Sequence, residues 1–137
     1  MSRVTDRHKP DDEDASRLKF PQSFGDEDTQ RNMLTISEVK LVLESLDNPP
    51  DNAVYNKTKD YVDTFARFYD HETASNVRSS FPNPPFQFFE QVQLVNLCPM
   101  EAEEAKALVP SIQVEDDQLQ QYLDDMTRAR KAQQPPA

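Results

Sequence analysis

The sequence predicts an all-α fold, a compact helical bundle preceded by an extended N-terminal arm, and three features carry that prediction. Residues 34–131 divide into helix-length segments with apolar positions three and four apart, fenced by prolines and capping residues. Only one run alternates with period two: Ser16, Leu18 and Phe20 against Arg17 and Lys19, stopped by Pro21. A single glycine, Gly25, excludes phosphate-cradling loops and dinucleotide folds, which need several for positive φ and close backbone approach.

Composition narrows the function as well as the fold. At 137 residues, with 36% hydrophobic and 29% charged, the chain is one domain with a modest core and ragged ends. A net charge of -10 opposes nonspecific nucleic-acid binding, because affinity for a phosphate backbone comes mainly from Lys and Arg. Two histidines, His8 and His71, and one cysteine, Cys98, cannot build a zinc cluster, and one Cys argues for a reducing compartment. No metal and no cofactor is expected. Apolar stretches are broken every few residues by Gln, Asn, Glu or Pro, so a soluble, intracellular chain is expected.

Residues 1–14 read as a disordered leader, Arg3, Arg7 and Lys9 followed by Asp11, Asp12, Glu13 and Asp14. A calcium loop is the sharper reading of these carboxylates and those at 26–28, but its glycine and twelfth-position Glu are missing. Residues 15–33 read as an arm. Its short strand has no partner run in the chain, so it either docks on the helices or, the reading favoured here, adds to the sheet edge of another protein, with Leu18, Phe20 and Phe24 filling pockets.

Thr35 and Glu38 form a capping box for the first helix, with Leu34 and Val39 as its hydrophobic staple and Ile36, Val39, Val42, Leu43 and Leu46 as its buried stripe. Asn48, Pro49 and Pro50 end it. A second helix carries Thr58, Tyr61, Val62, Phe65, Phe68 and Tyr69, an aromatic stripe read as core rather than as an RNA-stacking surface, because acidic residues interrupt its lysines. A short third helix opens at His71 and runs to Phe81. The fourth, from about Phe86 to Leu97, starts from Asn83 and Pro84, is apolar on most sides, and reads as the central helix. Cys98 and Pro99 close it. A small-residue helix with Ala102, Ala105, Leu108 and Val109 stops at Pro110, and a last helix starts at Glu115, Asp116 and Asp117. Its single stripe of Leu119, Tyr122, Leu123 and Met126 should pack on the domain, and residues 132–137 read as a disordered Gln-Pro tail.

Reaction chemistry finds little support. Cys98, directly before Pro99, reads as a small buried hydrophobe, and His71 lies beside Asp70 and Glu72 with no nucleophile or oxyanion donor alongside. Carboxylates fall mostly opposite the apolar stripes. The residues themselves thus describe an acidic helical interaction module.

Six segments, in order, resemble the family of the fourth subunit of eukaryotic RNA polymerase II, the helical half of the polymerase stalk. They are Glu13-Asp-Ala-Ser-Arg-Leu-Lys-Phe-Pro21, Ser37-Glu-Val-Lys-Leu-Val-Leu-Glu44, residues 67–79, Asn96-Leu-Cys-Pro99, Glu103-Glu-Ala-Lys-Ala-Leu-Val-Pro-Ser111 and residues 116–125. The resemblance implies a domain like the helicase-and-RNase-D C-terminal (HRDC) fold over residues 34–131. It also implies an arm that engages the seventh polymerase subunit in a near-obligate heterodimer. That heterodimer would dock at the clamp base near the RNA exit path, support initiation, and contact transcript or factors. The seventh subunit carries the nucleic-acid-binding barrel, so this chain would meet nucleic acid mainly through it and contribute nothing to nucleotide addition. The nucleus is the implied location, with the cytoplasm second. The partner contact is expected at Leu18, Phe20, Pro21 and Phe24, with the exposed side of Ile36, Val39 and Leu43. The connection at residues 46–54 is short where some relatives carry a long insertion, and residues 82–85 are richer in proline than the family pattern. The alternatives are the equivalent subunit of another nuclear polymerase, a free-standing acidic helical adaptor, and a hydrolase with unrecognised carboxylates.

Overall fold

The computed structural model describes residues 32–133. The leader and most of the arm, with Leu18, Phe20, Pro21 and Phe24, lie outside the described residues. Among those described, six α-helices follow one another without a strand: α1 (Ile36–Glu44), α2 (Ala53–Phe65), α3 (His71–Ser79), α4 (Phe88–Leu97), α5 (Ala102–Leu108) and α6 (Asp116–Ala132). The fold is an all-α bundle, as expected.

Local capping chemistry sets the starts of α1, α2 and α3. Thr35 Oγ1 accepts the Glu38 N–H at 3.1 Å while Glu38 Oε1 accepts the Thr35 N–H at 2.9 Å, the reciprocal box that the sequence predicts. Asn52 caps α2 by accepting the Tyr55 N–H at 2.8 Å. Asp70 caps α3 with Oδ1 on the Thr73 N–H at 2.7 Å and Oδ2 on the Thr73 hydroxyl at 2.9 Å. These backbone and hydroxyl hydrogen bonds hold the Asp70 carboxyl below its ordinary range.

The buried face of α1 is not the stripe that its apolar spacing suggests. Ser37, Lys40 and Leu41 face inward, Ile36, Val39 and Leu43 are half-buried, and Val42 and Leu46 are exposed. Hydrogen bonding decides this orientation. Ser37 Oγ accepts the N–H groups of Arg67 at 3.1 Å and Phe68 at 3.0 Å, and Asn96 Oδ1 accepts the Ile36 N–H at 2.9 Å. Glu38 also takes Arg78 Nη1 at 2.8 Å. With these bonds the polar side of α1 must face the domain.

The second helix also departs from expectation. It stops at Phe65, with Ala66 extended, so Phe68 and Tyr69 lie in the connection to α3. The Arg67 and Phe68 N–H groups go to Ser37 instead of back along the helix, and Phe68 drops into the core with no exposed surface. Within α2, Val62 is buried, but Thr58, Tyr61 and Phe65 are exposed; the reading of that stripe as core is corrected.

The core lies among α3, α4, α5 and α6. Phe81, Phe86, Leu94, Leu119, Leu123 and Met126 are all essentially inaccessible, and each such side chain contributes about 1.5 to 3 kcal/mol by leaving water. The rings of Phe81, Phe86 and Tyr122 close a triangle, with Phe86 edge-on to Phe81 at 5.3 Å and to Tyr122 at 5.4 Å. Leu94 and Val95 bear out α4 as the central helix, and Leu119, Leu123 and Met126 bear out the packing of α6 on the domain. Helix α4 starts at Phe88, not Phe86, and α3 ends before Phe81. Asn83 caps no helix; its amide donates to the Phe86 carbonyl at 2.7 Å and closes the proline-rich turn. Helix α6 includes Ala132, and the Gln133 side chain accepts the Tyr69 N–H at 3.2 Å and donates to the Arg67 carbonyl, so the chain stays in the fold two residues into the expected tail.

Two predictions test these anchors. Ser37→Ala leaves two N–H groups without their acceptor, and urea denaturation should show a loss of about 2 kcal/mol. Asp70 has a lowered folded-state pKa, so its stabilising effect is present above the ordinary value of 3.8 and is lost as pH falls below it. Asn also caps, so the stability difference between wild type and Asp70→Asn should shrink as pH is lowered from 7 to about 3. A difference that stays constant with pH would remove Asp70 from the acid response.

Candidate partner interface

The buried polar side of α1 leaves its apolar flank turned outward. Ile36, Val39 and Leu43, the α1 residues expected at the interface, are neighbours at helical spacing and keep part of their surface in solvent. Val42 and Leu46 extend that flank further into solvent.

Helix α2, which packs on α1, adds a second strip, of which the sequence reading assigned Thr58, Tyr61 and Phe65 to the core and left Val54 aside. Its inward line is Tyr55, Lys59 and Val62, continued by Ala66 beyond its end. About a quarter turn away run Val54, Thr58, Tyr61 and Phe65, spaced four, three and four. Val54 is 77% exposed, Tyr61 55% and Phe65 46%, and the last two rings stand 4.7 Å apart between centroids. The spacing showed that these residues share a face. It could not show which way the face points.

The polar surroundings do not favour nucleic acid on this strip. Lys59 is paired with Asp63 at 3.3 Å, and Asp60 is exposed nearby on the same helix. One of its two lysines, Lys59, is engaged by Asp63 and the exposed Lys57 stands among Asp60 and the aromatic rings, so the face carries too little net positive charge for a phosphate backbone and suits a protein surface better.

Other candidate groups are placed plainly. His71 is exposed at the first position of α3. Cys98 caps α4 in a left-handed conformation, φ 48°, with its thiol donating to the Val95 carbonyl at 3.2 Å. Burial pushes that thiol up, against weaker pulls from Arg130 and Arg67. Glu90 departs from the expected solvated carboxylates: it is buried, with Oε1 accepting the Gln87 N–H at 2.8 Å and Oε2 the Ser111 hydroxyl at 2.7 Å. Among the described residues no group of three His, Cys, Asp or Glu is gathered as metal ligands, and no helix is long and apolar enough to cross a membrane.

These features define a small all-α domain without gathered catalytic groups among the described residues, whose first two helices present an apolar flank. Comparison with known proteins gives the family. The pattern of the RNA polymerase Rpb4 family matches residues 33–130, and the chain belongs to that family. It is 36% identical to the fission yeast protein named DNA-directed RNA polymerase II subunit rpb4, across 89% of this chain and 95% of that protein. It is 30% identical to the Dictyostelium discoideum protein of the same name, over 88% of this chain and 91% of that one. Against DNA-directed RNA polymerase II subunit 4 of Arabidopsis thaliana the identity is 29%, over 88% and 96%.

The outward placement of the α2 strip predicts a contrast in stability. Val54→Ser and Tyr61→Ser should each shift the unfolding free energy by no more than about 0.5 kcal/mol, whereas Val62→Ala should cost about 2 kcal/mol, both read by urea denaturation. Equal losses at Tyr61 and Val62 would return the strip to the core.

Proposed function

We propose that this chain is the non-catalytic fourth subunit of RNA polymerase II, acting in the nucleus as the helical half of the stalk. Its partner in this reading is the seventh subunit, in a one-to-one heterodimer seated at the clamp base near the RNA exit path. There it supports initiation and presents surfaces to transcript and factors. The observation that carries the reading is the family match along nearly the whole described domain, joined to relatives named as polymerase II subunits over most of their length. By the same reading the bundle is an HRDC-like domain.

Physical chemistry supports a division of labour. A chain at -10 holds phosphate poorly by itself, so nucleic-acid contact falls to the partner. What this chain offers is apolar surface: Leu18, Phe20, Pro21 and Phe24 from the arm, with Ile36, Val39 and Leu43 on α1. Burying two such side chains is worth about 3 to 6 kcal/mol before ordering costs.

Co-expression with the same organism's seventh polymerase II subunit, followed by size exclusion with light scattering, tests the assignment. A stable one-to-one species is expected, and two separate peaks would overturn it. Leu18→Asp with Phe20→Asp should weaken the pair at least a hundredfold while leaving helicity unchanged, and Val39→Asp should weaken it on the α1 side. Wild-type affinity in the arm variant would remove the arm as a docking element.

A further inference from the structure

A cavity of about 240 Å³ lies outside the α1–α2 flank, between the turn after α4 and the last turns of α6. Cys98 and Met126 form its floor, Met100 and Thr127 its walls, and Arg130 and Lys131 stand at its edge. Met126 and Cys98 are buried, while Met100 is 56% exposed and can adjust over an occupant. The volume is below that of pockets which enclose whole small molecules, about 300 to 1,000 Å³, and matches one large side chain.

The edge supplies the second half of the recognition chemistry. Among the described residues neither Arg130 nor Lys131 belongs to an ion pair, although Arg128 beside them is held by Asp125 at 3.0 Å. Two uncommitted cations beside an apolar hole, on a chain of net charge -10, call for an occupant that brings carboxylates of its own. Three sulfur-bearing side chains favour an aromatic ring, since thioethers contact ring edges well and repack around different shapes. RNA suits the site less: the lining residues include no aromatic ring on which a base could stack.

We propose that this cavity is a docking site for an acidic peptide segment of a partner protein, which inserts one phenylalanine while its flanking carboxylates pair with Arg130 and Lys131. The inserted ring packs over Cys98 and Met126. The site is separate from the heterodimer reading and stands whether or not that reading holds.

The test uses the full chain and a short fluorescein-labelled peptide with one central phenylalanine flanked by aspartates and glutamates. Fluorescence anisotropy should show saturable binding that weakens at least tenfold in Arg130→Glu with Lys131→Glu, at least tenfold in Met100→Glu, and at least tenfold when the peptide phenylalanine becomes alanine. All three changes are at exposed positions or in the peptide, and circular dichroism checks that the variants stay folded. Cys98 is the single cysteine of the chain, so its alkylation by iodoacetamide reports on the floor directly, and saturating peptide should slow it. Binding that is indifferent to the variants would overturn the proposal, as would a Cys98 thiol that is alkylated in the free chain at raised pH and is not slowed by saturating peptide. So would protection of Cys98 by a single-stranded RNA oligonucleotide but not by the peptide.

Discussion

One side-chain oxygen, Ser37 Oγ, satisfies two backbone N–H groups, those of Arg67 and Phe68, and the arrangement of the N-terminal half follows from it. A buried N–H left without an acceptor costs about 1 to 3 kcal/mol, comparable to what a buried aliphatic side chain contributes. Helix α1 must therefore turn Ser37 inward. Thr35, Glu38 and the Ile36 N–H accompany it, the latter two held by Arg78 and Asn96. An α-helix cannot bury all its sides against one neighbour, so a polar inner face sends the apolar flank outward.

The same bond ends α2. Once Arg67 and Phe68 donate to Ser37, the helix cannot continue through them, and Phe68 enters the core from an extended segment. No glycine or proline at residues 63–69 marks this stop, so the apolar period reads on through Phe68 and Tyr69. Periodicity reports which residues share a face, whereas the direction of that face depends on contacts made elsewhere in the chain. For α6 the two agree, because a single apolar stripe on an otherwise polar helix has one low-energy orientation. For α1 and α2 they disagree, because α1 offers hydrogen-bonding groups that the domain needs.

What was legible was local. The Thr35–Glu38 box spans four residues, and the run around Leu94 and Val95 is apolar enough to identify the central helix. What was hidden was long-range and polar. Glu90 reaches Ser111 across 21 residues, and Gln120 accepts the Ala102 N–H across 18 while donating to the Met100 carbonyl. Gln133 holds the Arg67 carbonyl across 66. Glutamine and glutamate on a helix normally signal a solvated face, and nothing in their spacing marks these as fasteners. The outward apolar surface was half legible for the same reason: Ile36, Val39 and Leu43 showed as a stripe, while Tyr61 and Phe65 were assigned inward by a period that cannot tell core from surface.

Helix α2 is in consequence the most lightly held of the longer helices. Val62 is its one fully buried side chain, and its main neighbour is α1, itself fastened by hydrogen bonds more than by apolar burial. Segments with few buried apolar contacts open at low free energy. A protein surface seated on Val54, Tyr61 and Phe65 would bury area that the isolated chain leaves wet, and its binding energy would add to the stability of the folded helix by mass action. The helix that the domain holds least firmly is thus the one with most to gain from a partner. The exposed strip and the thin anchoring of α2 are two consequences of one choice, the burial of the polar face of α1.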